Sequence, residues 1–289
     1  MNRFPHVFKL GATAFLAGMC ISGAAQATLI SAGTAEFVTF RNCIPGASGC
    51  DSVSAILHST YGGAPGAASS TASQTVAGYG TAAGSVSLSG TVGAPTLSAS
   101  ATSAPGTRQN TNSVALQRYT YTGATTTTRT FGGTLTYSQT VTGSYPLNSV
   151  GNGIHAALDV FTLPGMTVDV GDTAQSNFNA VFNPSAFAGY ASLGSQGYTN
   201  PISVAAGSAL LGVTVTFDPG ETVWVWALLQ TPAVNGGTTD AAHTFITNWD
   251  NAENLTPAVA VPEPATLGLF AIGLLGLGAA RRRKQQATV

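Results

Sequence analysis

Charge is what this chain has least of. Asp, Glu, Lys and Arg together make up 7% of its 289 residues, against about 25% in an average soluble domain. No lysine occurs between Lys9 and Lys284, and only Arg41, Arg108, Arg118 and Arg129 are cationic in the long middle of the chain. Ten carboxylates from Glu36 to Glu253 oppose them, a net of −6 (4 − 10). A nucleic-acid binder must line up several cations to release counterions from phosphates, so this middle stretch excludes that class. Cysteine is nearly absent too: Cys43 and Cys50, in "CIPGASGC", are the only two beyond Cys20. Histidine is sparse, with His58, His155 and His243 standing far apart beyond the first residues. No H-x-x-x-H, no G-x-S-x-G and no Walker loop is present, which leaves metal hydrolase, serine-hydrolase elbow and P-loop chemistry without local support.

What is present begins at the N-terminus. Arg3 and Lys9 precede "LGATAFLAGMCISGAA", and Ala25-Gln26-Ala27 follows. Basic region, short apolar core and small-x-small site predict a signal peptide over 1–27, cleaved after Ala27. Met19 stands before Cys20 where lipidation would want a small residue, so no lipid anchor is expected. Export places Cys43 and Cys50 in an oxidising compartment and predicts a disulfide between them. Two thiolates with no nearby histidine would make only half a metal site. No metal, cofactor or catalytic residue is expected anywhere in the chain.

The middle, 28–258, is rich in Gly, Ala, Ser and Thr, and 44% of the whole chain is hydrophobic. Low charge without low hydrophobicity fits a secreted β protein better than disorder. "TLISAGTAEFVTF" reads as a first strand, and "HAALDVFTLP" and "MTVDVG" as later ones, stopped by Pro or Gly. The tract from Gly62 to Gly106 reads mainly as loop, with "GSVSLSGTV" as its one alternating strand. "TTTTRTF" and "TLTYSQTV" flank Gly132-Gly133, a pair that predicts a two-residue hairpin turn, with "VALQRYTYTG" as a third antiparallel strand beside it. The hydroxyls of this threonine-rich region recur at period two and predict a threonine face. "ALLGVTVTF" and "TVWVWALLQ" around Asp218-Pro219-Gly220-Glu221 predict a second, more apolar hairpin. In its second strand Val223, Trp224, Val225 and Trp226 put bulk on both faces, which demands a central position between two layers. Short strands, frequent turns and almost no helical periodicity predict an all-β antiparallel β-sandwich. "DVGDT" and "NWDNAEN" cluster oxygens without calcium-loop spacing and read as solvated turns.

The C-terminus has three parts: Val261-Pro262-Glu263-Pro264, sixteen mostly apolar residues from Ala265 to Ala280, and the basic cluster Arg281, Arg282, Arg283 and Lys284. Sixteen helical residues reach about 24 Å, short of a hydrocarbon core of about 30 Å. The basic cluster would hold the helix end on the cytoplasmic side. The two prolines keep the preceding backbone extended and open to a protease. Such a tail is a poor permanent anchor and a good temporary one.

This tripartite tail, 259–289, resembles the PEP-CTERM sorting signal. The resemblance implies a Gram-negative exopolysaccharide producer whose exosortase, a membrane protease, recognises and removes the tail. It implies a protein exported through the inner membrane, held briefly by its C-terminal helix, then released to the surface or outside. "DAAHTFITNWDNAENLTP", Asp240 to Pro257, also resembles the run that often closes such ectodomains. A structural or adhesive role within exopolysaccharide is therefore expected. A glycan- or ice-binding module using the threonine face is the first alternative, since tails of this kind also occur on some ice-binding proteins. A secreted polysaccharide-active enzyme is the second; it would use a carboxylate pair, and no motif places two of the ten acids together.

Overall fold

The computed structural model describes residues 27–30, 32–42, 58–62, 68–89, 92–140, 153–163, 166–169, 181–199 and 205–257. These residues are nearly all strand: β1 (Ala27–Ile30), β2 (Ala32–Asn42), β3 (His58–Gly62), β4 (Ser69–Val76), β5 (Gly80–Ser89), β6 (Ala94–Ser103), β7 (Thr107–Tyr121), β8 (Thr127–Thr140), β9 (His155–Thr162), β10 (Met166–Asp169), β11 (Ala191–Thr199), β12 (Ala206–Phe217), β13 (Thr222–Val234), β14 (Thr238–Trp249) and β15 (Leu255–Pro257). All pairings are antiparallel. One sheet runs β11-β9-β13-β7-β2-β3, with β15 added on β7, and a second runs β12-β8-β14-β6-β5-β4. They pack face to face, β5 and β6 over β7, and β14 over β13. The fold is sandwich-like, as the strand spacing predicts. Among the described residues no helix is long and apolar enough to cross a membrane. The expected signal peptide through Gln26, Cys43, Cys50 and the tail from 258 onward lie outside the described residues. Ala27 is the first residue of β1, opposite Asp169 of β10.

β13 is the axis. It pairs with β7 on one side and β9 on the other. Alternation sends Val223 and Val225 into the core between the sheets, beside Leu158, Val160, Phe131, Phe217 and Phe245. The same alternation sends Trp224 and Trp226 outward, where Val114, Leu116 and Phe161 form a second core. Residues 181–190, with the 3-10 turn Pro184–Ala186, cover that face and add Val181, Phe187 and Tyr190. Trp224 is fully buried, its ring stacked on Phe161 at 6.4 Å and 9° and capped by the Arg118 guanidinium at 5.9 Å. Its indole N–H donates to Leu163 O at 3.3 Å, and that of Trp226 to Val181 O at 3.0 Å. The two tryptophans are therefore packed and bonded inside the protein, and the strand is central, as its two bulky faces require.

Four expectations are corrected. Gly132-Gly133 is no turn: β8 runs through it without a break, with Gly132 opposite Gly212 and Asn248, and Gly133 opposite Leu211 and Thr247. A primed turn needs positive φ at its first central position, and at both in type I′; neither glycine has it. What Gly133 supplies is room, since a Cβ there would stand 2.6 Å from the Phe245 ring. The Asp218–Glu221 turn does form, with Gly220 at φ 81 and Glu221 N–H donating to Asp218 O at 3.0 Å. It joins the two sheets and makes no hairpin, because β12 pairs with β8 while β13 pairs with β7 and β9; β7 likewise belongs to the sheet opposite β8. Finally, the tract from Gly62 to Gly106, expected to be mainly loop, holds β4, β5 and β6 as a meander. Its inward Ala72, Ala82, Val86, Leu97, Ala99 and Ala101 are small or aliphatic and buried, while serine and threonine fill the other face. Small residues made the tract look like loop although the period of two was there.

The small residues also admit a polar layer between the sheets. Glu36 on β2 is fully buried opposite Ser113 of β7. A Cβ on Gly84 of β5 would lie 2.2 Å from its Oε2, so only glycine fits above it. Ser113 Oγ lies 2.8 Å from that oxygen and 2.7 Å from Ser98 O. A hydroxyl has one hydrogen. It can serve the carboxyl or the carbonyl at any moment and not both, so the serine offsets only part of the cost of burying Glu36. Burial, opposed only by the serine contact, pushes this carboxyl well above its usual range.

Two stability measurements check this core. Trp224→Ala should cost about 3–5 kcal/mol, the range for a large aromatic removed from a packed site, read as a drop in thermal midpoint; an unchanged midpoint would place the strand at an edge. Glu36 is raised in the folded state, so its contribution is complete below about pH 4.5 and is lost as pH climbs toward the higher folded value. Wild type should weaken over that rise, and Glu36→Gln should flatten the profile and melt higher at neutral pH.

Candidate functional site

The outward face of the six-stranded sheet is built by the period of two alone. On β8 it presents Thr128, Thr130, Gly132, Thr134, Thr136, Ser138 and Thr140. On β12 it presents Ser208, Leu210, Gly212, Thr214 and Thr216. The threonine face expected from the sequence therefore exists, on one long strand and its neighbours. The register carries it across the sheet: Thr75, Thr81, Thr102, Thr238 and Thr140 stand side by side on five adjacent strands. Neighbouring members of such a row are about 4.8 Å apart in the hydrogen-bonding direction. Hydroxyls pair between strands, Ser85 with Ser98 at 2.7 Å, Thr130 with Thr214 at 3.0 Å and Thr128 with Thr216 at 3.2 Å.

Among the described residues, charge on this face is sparse: Asp240 on β14, with Asp250 just past the end of β14 and Asp218 just past the end of β12. Arg129, the one cation on these six strands, alternates to the opposite side of β8, and its Nη1 donates to Thr127 Oγ1 at 2.8 Å. The "NWDNAEN" segment leaves β14 in a turn that uses two of its own side-chain oxygens. Asn251 N–H donates to Asp250 Oδ1 at 2.6 Å and Glu253 N–H to Asn251 Oδ1 at 2.8 Å.

One place on the face is concave. Gly132 and Gly212 face each other across β8 and β12, so two side chains are missing from the lattice. A shallow groove of about 510 Å³ lies over Gly132. Leu210 and Ile246 flank Thr134 along one side, 79% and 49% exposed. Thr130, Asn248 and Asp250 form the other. No exposed aromatic ring stands on the described part of this face. The sequence hid this site because its marker, Gly-Gly in a threonine run, has the same letters as a hairpin turn.

The remaining polar clusters are internal. Asp159 on β9 accepts from Tyr190 and, at 2.9 Å, from Ser192; burial raises its carboxyl, those two bonds partly lower it, and Tyr190 is pushed up to about 12. Tyr137 and Tyr198 share a hydroxyl contact of 2.8 Å across the two sheets, and burial pushes Tyr137 up to about 12. His155 is half-buried on β9 and its imidazole is lowered by burial. Among the described residues no three His, Cys, Asp or Glu side chains gather as metal ligands would.

The processing residues expected from the sequence, Val261, Pro262, Glu263 and Pro264, and the basic anchor Arg281 to Lys284, lie outside the described residues, as do Ala25, Cys43 and Cys50. Their assignment rests on sequence. No curated protein matches the chain. Residues 260–284 match the model of the PEP-CTERM protein-sorting motif, so the chain carries at its C-terminus a sorting signal that implies processing by an exosortase and export toward the cell surface.

Proposed function

We propose that this is a surface or extracellular-matrix protein with a structural or adhesive role among exopolysaccharide. A signal peptide ending at Ala27 starts its export, and the tail holds it briefly in the membrane until the exosortase releases it. The observation that carries the reading is the pairing of that tail, matched over 260–284, with a wide sheet face that is hydroxylated and almost uncharged. A face of this kind is suited to the company of hydrated polymer and unsuited to nucleic acid. No catalytic role is assigned to the body.

A second reading has its own support. The five-threonine row is a regular array of hydroxyls and methyls, which favours ordered water, and so ice, as the partner. Among the described residues of that face no exposed ring offers sugar stacking, which is the other half of that argument.

The sorting step is checked by mass spectrometry of the exported protein. Wild type should lack Arg281 to Lys284, and the triple variant Pro262→Ala, Glu263→Ala, Pro264→Ala should stay uncleaved and membrane-held. A released wild-type protein that keeps its basic tail would overturn the sorting reading. The oxidising compartment also gives the Cys43–Cys50 disulfide. Both thiols should resist alkylation until reduced, and Cys50→Ser should cost local order more than global stability, because so small a loop has little entropy to lose.

A further inference from the structure

We infer that the groove over Gly132 binds a chain of an uncharged polysaccharide. The inference rests on the adhesive reading above and assigns it a site. The groove exists because register sets Gly132 against Gly212, and strand glycines mark places where another molecule comes close to the backbone. Along one wall Leu210 and Ile246 expose aliphatic carbon, which suits the C–H face of a pyranose ring. Along the other, Thr130, Asn248 and Asp250 offer a hydroxyl, a carboxamide and a carboxylate, which suit ring hydroxyls that both donate and accept.

Charge narrows the choice of ligand. Asp250 lies in the groove and Asp240 farther along the same strand face, with no cation among the groove's lining residues. A uronate-rich or sulfated chain would meet repulsion; a neutral one meets none. An extended peptide is disfavoured for another reason. β8 is already paired with β12 and β14, and on the edge strand β12 the Gly212 N–H already donates to the Gln196 side chain, which obstructs addition of a further strand. The groove is shallow and has no aromatic floor, so each contact is weak and a polymer gains through repetition of its units.

The test uses the exported, processed protein in native affinity gels. Dextran, galactomannan and mixed-linkage β-glucan serve as neutral probes and alginate as the anionic one. Wild type should be retarded by at least one neutral polymer and not by alginate. Asn248→Ala and Leu210→Ala should each weaken retardation about fivefold, the effect of losing one modest contact. Gly212→Thr should do the same by narrowing the groove; its Cβ meets only the Thr130 methyl, at 3.3 Å, so the melting point should hold. The double variant Thr81→Ala, Thr102→Ala, on the far part of the face, should leave retardation unchanged. Equal retardation of wild type and groove variants, or equal retardation by alginate, would overturn the site. Retention on ice with no retardation by any neutral polymer would overturn it in favour of ordered water. Co-fractionation with the matrix separates the two levels. A protein that stays with the matrix but ignores every neutral gel sinks the groove alone. One that leaves the matrix yet is retarded through the groove sinks the adhesive role alone.

Discussion

The structure depends on β13 being covered on both faces. A strand with valines on one side and tryptophans on the other cannot turn either side to water without exposing an apolar patch. Val223 and Val225 therefore require a second sheet, and Trp224 and Trp226 require a covering layer, which residues 181–190 provide. With β7 and β9 paired on either side of it, the strand is held by hydrogen bonds in the plane and by packing above and below. An asymmetry follows among the described residues: residues 181–190 cover one sheet, and no described segment covers the outer face of the other.

That bare face is tolerable because it is polar without being charged. Serine and threonine at every second position give solvent a hydroxyl lattice, and their methyls and β-branching suit a pleated surface. Isolated edges would still invite pairing with other chains. At one corner the β12 edge is answered from across the sandwich, where Gly212 N–H donates to the side chain of Gln196 on β11. At that corner Gly194 of β11 lies so near Val213 that a Cβ would stand 2.8 Å from it, and β11 bulges between Ser192 and Gly194. At the other corner β3 lies against β4. The faces meet closely where side chains are small, and the space between them takes the buried carboxyl of Glu36.

The sequence by itself determined the fold class and the address of the protein. Periodicity of two needs no distant partner to be read, so the β character, the central place of the Val-Trp-Val-Trp strand and the threonine face were all legible. The tail was legible for the same reason: Pro-Glu-Pro, apolar run and basic cluster act locally, in order, along one stretch of chain. Tertiary structure decided which strands are neighbours. Nothing within "TFGGTL" separates a turn from a through-strand; the choice falls to Phe245, which takes the space a Gly133 side chain would fill, and to Leu211 and Thr247, which pair on either side. Asp218 to Glu221 turns in either topology, so its letters fix the bend and leave its two strands free to join different sheets. The groove belongs wholly to this second kind of information, because Gly132, Leu210 and Asn248 are far apart in the chain and become one surface only through register.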